Sequence, residues 1–251
     1  MTAVFLHGVP DTSALWAPLV GELGLRPHEY YAPDLPGFGR GWPDHFVPNK
    51  DGYIDWLLAK LENLAETTGE PVDIVGHDWG AIFTIRLAAL RPDLVRSWTA
   101  IDAVIQPDYR WHKTARQWQT PVLGELMMLL IRQPLMRRAL LQAGVPAELA
   151  TIEAAHWNST MKRSILSLYR SAKTVSKDWS KNLSDLPDKG LVIFGEMDPY
   201  IDADMARAFA KDHHVDIHIE PGRGHWILAE DAALVASLLR PHLAPQNSLH
   251  P

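Results

Sequence analysis

Six short apolar runs limit what this chain can fold into. "AVFLHG" (3–8), "EYYAPD" (29–34), "VDIVGHD" (72–78), "VRSWTAID" (95–102), "GLVIFGE" (190–196) and "VDIHIE" (215–220) each have the length of one strand. Helix-like stretches fall between or after them at about 13–23, 51–68, 80–90, 202–212 and 227–240. Strands joined through helices run parallel, because a parallel neighbour is reached only by a long crossover. The expected fold class is therefore α/β, a mainly parallel sheet of about six strands flanked by helices on both faces. Ile82, Ile85 and Ala89 recur at helical spacing after Gly80, which predicts a helix packed on that sheet.

The alternation fails in one place. From 104 to 182 no strand pattern occurs, only helical segments punctuated by Pro121, Pro134 and Pro146, residues suited to helix starts. This predicts a helical cap over 104–182, inserted into a core formed by 1–103 and 183–251. The terminal "APQNSLHP" is expected to fray.

Composition narrows the functional classes. With 24 basic and 30 acidic residues in no long like-charge run, and a net charge of −6, neither nucleic acid nor an anionic membrane is an expected partner. Cysteine is absent, which excludes disulfides and thiolate metal sites. The longest apolar run, "LGELMMLLI" (123–131), is broken by Glu125 and too short to span a bilayer. The start "MTAVFLHG" lacks the pattern of a signal peptide, so a cytoplasmic protein is expected.

The chemistry begins in "VDIVGHDWGA" (72–81), where a strand pattern runs into Asp78 between Gly76 and Gly80. A Gly-x-x-x-Gly pair alone says little, since roughly one arises by chance in a chain of ordinary glycine content. Between a strand and a helix it means more. A sharp strand-to-helix turn strains its central residue and requires small neighbours on both sides, and the central side chain then points into a pocket above the sheet. Serine there performs acyl transfer; a carboxylate can instead attack an electrophilic sp3 carbon, giving an ester that water must hydrolyse through an oxyanion intermediate. The plainer alternative is that Asp78 caps the following helix.

Other segments supply the remaining parts. "HGVPD" (7–11) ends the first strand and offers the Val9 N–H, while the turn offers the Trp79 N–H, together an oxyanion hole; a simple Gly-Pro turn is the alternative. His225 in "PGRGHWILAE" follows the last strand, and Asp198 in "FGEMDPYI" follows the one before it. Asp78, Asp198 and His225 thus occur in the order nucleophile, acid, base, each at the same end of a strand.

With these motifs the sequence resembles the α/β-hydrolase superfamily, in particular its Asp-nucleophile branch of epoxide hydrolases and haloalkane dehalogenases. The resemblance rests on "HGVPDTSALW" (7–16), "DLPGFGRG" (34–41), "GHDWGA" (76–81), "GEMDPYI" (195–201) and "GRGHW" (222–226). It implies an α/β-hydrolase fold and a two-step mechanism: Asp78 attacks carbon, Val9 and Trp79 N–H groups hold the oxyanion, and His225 with Asp198 activates water. Members often carry a strand pair before the "HG" strand; six residues precede His7 here, so about six strands are expected. Asp102 ends the strand from which some members supply the orienting acid, and it is the alternative to Asp198.

The leaving group separates the two activities. Epoxide hydrolases use cap tyrosines, and "LYRSA" (168–172) resembles their segment, which makes Tyr169 the expected proton donor; packing in the cap is its alternative role. A second tyrosine is not evident, since Tyr109 comes early and Trp111, His112, Trp118, His156 and Trp157 populate the middle of the cap. Trp118, Trp157 and His156 are candidate pocket residues, and Trp118 or Trp157 could join Trp79 in holding a halide. Val9 stands where one dehalogenase group has a halide-binding Asn. The sequence reading ranks epoxide hydrolysis first, dehalogenation second, and a non-catalytic binding protein on the same fold below both. A small apolar substrate is expected, with no metal and no organic cofactor.

Overall fold

The computed structural model describes residues 2–243, so the terminal "APQNSLHP" lies outside the described residues. Six strands, β1 (Ala3–Leu6), β2 (Tyr30–Tyr31), β3 (Val72–His77), β4 (Val95–Ile101), β5 (Gly190–Gly195) and β6 (Asp216–Glu220), form one sheet in the order β2-β1-β3-β4-β5-β6. Every pairing is parallel. All six match the apolar runs. β1, β3 and β5 are buried along their whole length, which is why they read as continuous apolar stretches rather than alternating ones.

The strand order fixes where the helices go. Right-handed crossovers place helices on opposite faces when the chain moves in opposite directions across a sheet. α1 (Ala17–Leu23) leads from β1 outward to β2, whereas α2 (Lys50–Thr68) and α3 (Trp79–Leu90) lead the other way. Accordingly α2 packs with α3, and α1 packs with the C-terminal α12 (Ala232–Leu239). The direction reverses between β1 and β3. At such a switch point the loops after the two strands part and leave a crevice, the usual ligand site of an open α/β sheet.

Between β4 and β5 the chain makes α4 (Lys113–Gln119), α5 (Leu123–Leu130), α6 (Gln133–Gln142), α7 (Ala147–Ala155), α8 (Ser159–Ser171) and α9 (Val175–Trp179), with no strand. Pro134 occupies the first turn of α6 and Pro146 precedes α7. The core closes with α10 (Ala203–His213), then α11 (Ile227–Glu230) and α12, which Asp231 separates by capping the Leu234 N–H. The sequence pattern had suggested one continuous helix there.

The turn at Asp78 is a tight junction between β3 and α3. Asp78 has φ 52° and ψ −121°, outside the region open to most side chains, at a cost of about 1–3 kcal/mol. Its N–H completes the β ladder to the Ile101 carbonyl (3.1 Å), and its carbonyl accepts the Ala81 and Ile82 N–H groups that start α3. A Cβ on Gly80 would collide with the Leu6 carbonyl of β1, and one on Gly76 with the Gly80 carbonyl. The glycines let β1, β3 and α3 meet.

This close approach predicts a contrast between two glycine-to-alanine changes. Gly80→Ala should cost about 3 kcal/mol or more, because backbone rather than a flexible side chain must move. Gly21→Ala in α1, where an added methyl meets nothing within 4 Å, should stabilise by up to about 1 kcal/mol. Denaturant unfolding of both variants checks this; equal effects would contradict the packing described for the turn.

Candidate active site

Asp78 stands at the start of α3, yet its side chain makes no capping bond to the helix. Its Oδ1 instead accepts the Val9 N–H at 2.7 Å, and the Trp79 N–H also faces the carboxylate. Val9 can come this close because Gly8 leaves room: a Cβ there would overlap the Asp78 carboxyl. The loop is pinned from behind by His7, whose Nε2 accepts the Leu35 N–H (2.9 Å) while Nδ1 donates to the Gly8 carbonyl (2.9 Å). Burial lowers the pKa of His7, which favours the neutral ring those two bonds require. "HG" and "DLPG" thus form one clamp around the Val9 N–H.

The other Asp78 oxygen, Oδ2, lies 3.5 Å from His225 Nε2. On the far side of the imidazole, Nδ1 meets Asp198 Oδ2 at 2.7 Å. Asp198 is itself held, its Oδ1 accepting the Tyr200 (2.7 Å) and Ile201 (3.1 Å) N–H groups. His225 therefore bridges two carboxylates. Burial alone would depress its pKa, but Asp198 and Asp78 together more than offset this and raise it well above the usual histidine value. For Asp78 burial acts upward, and the hydrogen bond and charge of His225, with His77 and the Trp79 N–H, outweigh it and hold the carboxyl below its ordinary range.

Asp102 does not reach His225 Nδ1. Its Oδ1 accepts the Gly195 N–H (2.8 Å), and its Oδ2 has no hydrogen-bond partner among the described residues, with His77 Nε2 at 3.9 Å. Asp198, the acid favoured by its place in the sequence, is the one that meets the imidazole, whereas the Asp102 carboxyl turns back onto β5. Behind His225, His77 Nε2 bonds the His225 carbonyl (2.7 Å), and Asp11 accepts the Trp226 indole N–H (3.1 and 3.2 Å).

A cavity of about 220 Å³ opens in front of Asp78 and His225, lined mainly by apolar side chains including Ile131, Met136 and Leu140. A second lobe of about 20 Å³ is lined by Tyr109, Trp111 and Ser176 among others. Asp78, His112, Tyr169 and Tyr200 border both lobes, at the waist between them. Tyr169 comes from α8, which buries Met161, Ile165, Leu168 and Tyr169 on one face. Its ring sits among Trp79, Trp111 and Trp118, at centroid distances of 5.5, 5.3 and 5.0 Å. Burial and then the Asp78 charge raise its pKa, while the Trp79 indole approaches its hydroxyl.

Of the three expected pocket residues, one lines the cavity. Trp118 does, and its indole N–H is buried without a partner among the described residues. Trp157 does not, because its N–H is committed to the Ile131 carbonyl (2.8 Å). His156 ends α7 and borders neither lobe. Conversely, Tyr109, His112 and Tyr200 were not placed from the sequence. Residues 103–112 fold back over the sheet before α4, so an early position in the insertion still borders the site. Among the described residues no group of three His, Asp or Glu side chains is arranged to hold a metal ion, and no helix is long and apolar enough to cross a membrane.

A family model, "Alpha/beta hydrolase family", matches residues 3–238. The chain belongs to this family. A haloalkane dehalogenase of Bradyrhizobium diazoefficiens is 31% identical over 144 residues, covering 50% of this chain and 45% of its own. An epoxide hydrolase of Caballeronia sordidicola is 31% identical over 99 residues, 36% of this chain and 27% of its own. The chain thus matches less than half the length of these curated relatives. Among solved structures, a 2-hydroxy-6-oxo-6-phenylhexa-2,4-dienoate hydrolase of Rhodococcus superposes with a TM-score of 0.78 at 20% identity, covering 96% of this chain and 89% of its own. A haloalkane dehalogenase of Bradyrhizobium elkani gives 0.75 at 25% identity, with 96% and 90% covered. This α/β hydrolase therefore has relatives acting in both branches considered from its sequence.

The unpaired Asp102 carboxyl has a measurable consequence. Burial, opposed by His225 and His77, pushes its pKa up to about 7. The unfolded chain loses that proton near pH 4, so between about pH 4 and 7 the folded state binds more protons and stability falls as pH rises. Three units correspond to at most about 4 kcal/mol. Asp102→Asn keeps an acceptor for the Gly195 N–H and tolerates the φ of 53°. It should gain stability over wild type at pH 8 but much less at pH 5, measured by denaturant unfolding. Parallel pH profiles would show that Asp102 is charged throughout.

Proposed function

We propose that this hydrolase opens epoxides to vicinal diols through an ester on Asp78, within a core capped by residues 104–182. The observation that carries the reading is the pair of bonds on one carboxylate: Val9 N–H on Oδ1 and His225 near Oδ2. Oδ2 attacks the epoxide carbon, and the C–O bond breaks with its electron pair moving to oxygen. Tyr169, bordering both lobes with Asp78, donates its proton to that oxygen and becomes a phenolate.

Oδ1 is now the ester carbonyl oxygen, already in contact with the donor that stabilises it as an oxyanion. Esterification also removes the Asp78 charge. His225 then loses one of the two carboxylates that raise its pKa, while Asp198 still fixes the ring, so the imidazolium gives its proton to solvent, regains one when the Asp78 carboxylate re-forms, and in between is free to accept a proton. It takes one from water, hydroxide adds to the ester carbon, and the imidazolium protonates the departing diol oxygen. The proton left on the Asp78 carboxyl returns to the Tyr169 phenolate, and the enzyme is restored. The unequal lobes favour an epoxide with one bulky apolar arm in the 220 Å³ space and a small substituent on the other side.

Haloalkane cleavage is the second reading, supported by the free Trp118 indole N–H and by the names of several relatives. Against it stands Tyr169, a buried phenol that borders both lobes with Asp78 and whose proton serves a leaving oxygen but is not needed by a halide.

His225→Gln should separate the readings, because alkylation needs no base and ester hydrolysis does. With a substrate the wild type consumes, the variant should accumulate an adduct on the Asp78 peptide, heavier by the whole epoxide. An adduct heavier by an alkyl group without its halogen would establish dehalogenation. No adduct with either class, together with turnover by Asp78→Asn, would contradict the ester mechanism.

A further inference from the structure

An oxygen leaving a strained ring is better held by two donors than one, and Tyr169 supplies a single O–H. His112 borders both lobes of the cavity, as do Asp78 and Tyr169, so its ring stands at the waist where the reacting carbon must lie. It is the residue before α4, and its Nδ1 accepts the Ala115 N–H at 3.3 Å, capping that helix. That bond settles the tautomer: with Nδ1 accepting, the ring proton is on Nε2. Nε2 has no hydrogen-bond partner among the described residues, and it is not among the atoms sealed from solvent. Nε2–H is thus free to donate to a group held in the cavity that this residue lines.

The surroundings hold the ring in place and keep it neutral. Tyr200 packs on it at a centroid distance of 4.9 Å and also packs edge-on against His225 at 4.8 Å, linking the two imidazoles. The Tyr109 hydroxyl faces the His112 backbone N–H and so steadies the turn that carries the ring. Burial lowers the His112 pKa, offset in part by the Asp78 charge, with His225 lowering it further. A neutral imidazole N–H is a poor acid but a good fixed dipole for developing negative charge.

We propose that His112 is a further catalytic residue, whose Nε2–H donates a hydrogen bond to the epoxide oxygen while Tyr169 transfers the proton. The proposal rests on the epoxide-opening reading of the site. In the balanced step the Asp78 oxygen forms the new C–O bond and the ring C–O bond breaks onto oxygen. The phenol proton moves to that oxygen, and the His112 proton stays on nitrogen, shared in a hydrogen bond that shortens as charge builds. His112 thus completes a phenol–imidazole pair in place of two phenols.

The test measures single-turnover alkylation of Asp78 in the His225→Gln protein, using aryl epoxides graded by electron withdrawal. His112→Phe preserves an aromatic ring without a donor, and His112→Gln restores an N–H near the Nε2 position. His112→Phe should slow alkylation about 10- to 10³-fold with the unactivated epoxide. The deficit should shrink along the series, since a better-stabilised alkoxide needs the donor less, and His112→Gln should recover most of the rate. Circular dichroism and cooperative unfolding establish that each variant is folded. A His112→Phe loss that is uniform across the series, or that His112→Gln does not repair, would make the residue packing only and overturn the proposal. Alkylation within about threefold of the parent would do the same. If the His225→Gln parent forms no epoxide adduct at all, the ester reading itself fails and the His112 role falls with it, a result distinct from loss in the His112 variants alone.

Discussion

The Val9 N–H bond to Asp78 Oδ1 is the contact on which the rest of the site depends. It requires three backbone segments to meet in a space that side chains would fill: β1 with its following loop, β3, and the start of α3. Gly8, Gly76 and Gly80 clear that space, and the unusual backbone angles of Asp78 are the conformational cost of turning there. Ladder and helix bonds on either side of the turn offset this cost. The carboxylate is thereby divided before any substrate arrives. One oxygen is engaged by the Val9 N–H, and the other faces His225.

Charge is distributed around the imidazole with similar economy. His225 stands between Asp198 and Asp78, and the two acids differ in permanence. Asp198 is locked by two backbone N–H groups, whereas the Asp78 charge would vanish on forming an ester. In the proposed reaction, the pairing that raises the His225 pKa in the resting protein is thus the one that ester formation would remove. Asp102, buried close by and bonded to Gly195, carries its proton up to about pH 7 and so adds little negative charge to this group in mildly acidic solution.

Much of this arrangement was legible in the sequence because it is carried by local backbone rules. The apolar runs marked the strands, and the glycines flanking Asp78 made sense only at a sharp strand-to-helix turn. Asp198 and His225 followed from their places just after β5 and β6. What was not legible depends on how distant segments fold over one another. Asp102 stayed an alternative to the favoured Asp198 because only the fold shows its carboxyl turned onto the Gly195 N–H and away from His225 Nδ1. Trp157 looked like a pocket indole but is spent on the Ile131 carbonyl. Tyr109 was set aside because it comes early in the insertion, and His112 was counted with the middle of the cap and given no role, yet residues 103–112 return to the crevice. The tautomer of His112 depends on Ala115 three residues on, a capping signal weaker in sequence than Ser, Asp or Asn would give.

The central claim is that a carboxylate oxygen of Asp78, and not water, makes the first bond to carbon. A single turnover in H₂¹⁸O, with enzyme in excess over a substrate established by product analysis, tests this directly. Attack by Asp78 predicts product free of ¹⁸O in the first turnover and one ¹⁸O in the peptide containing Asp78. Label in the first product, with Asp78 unlabelled, would mean that water attacks the substrate itself and would contradict the account.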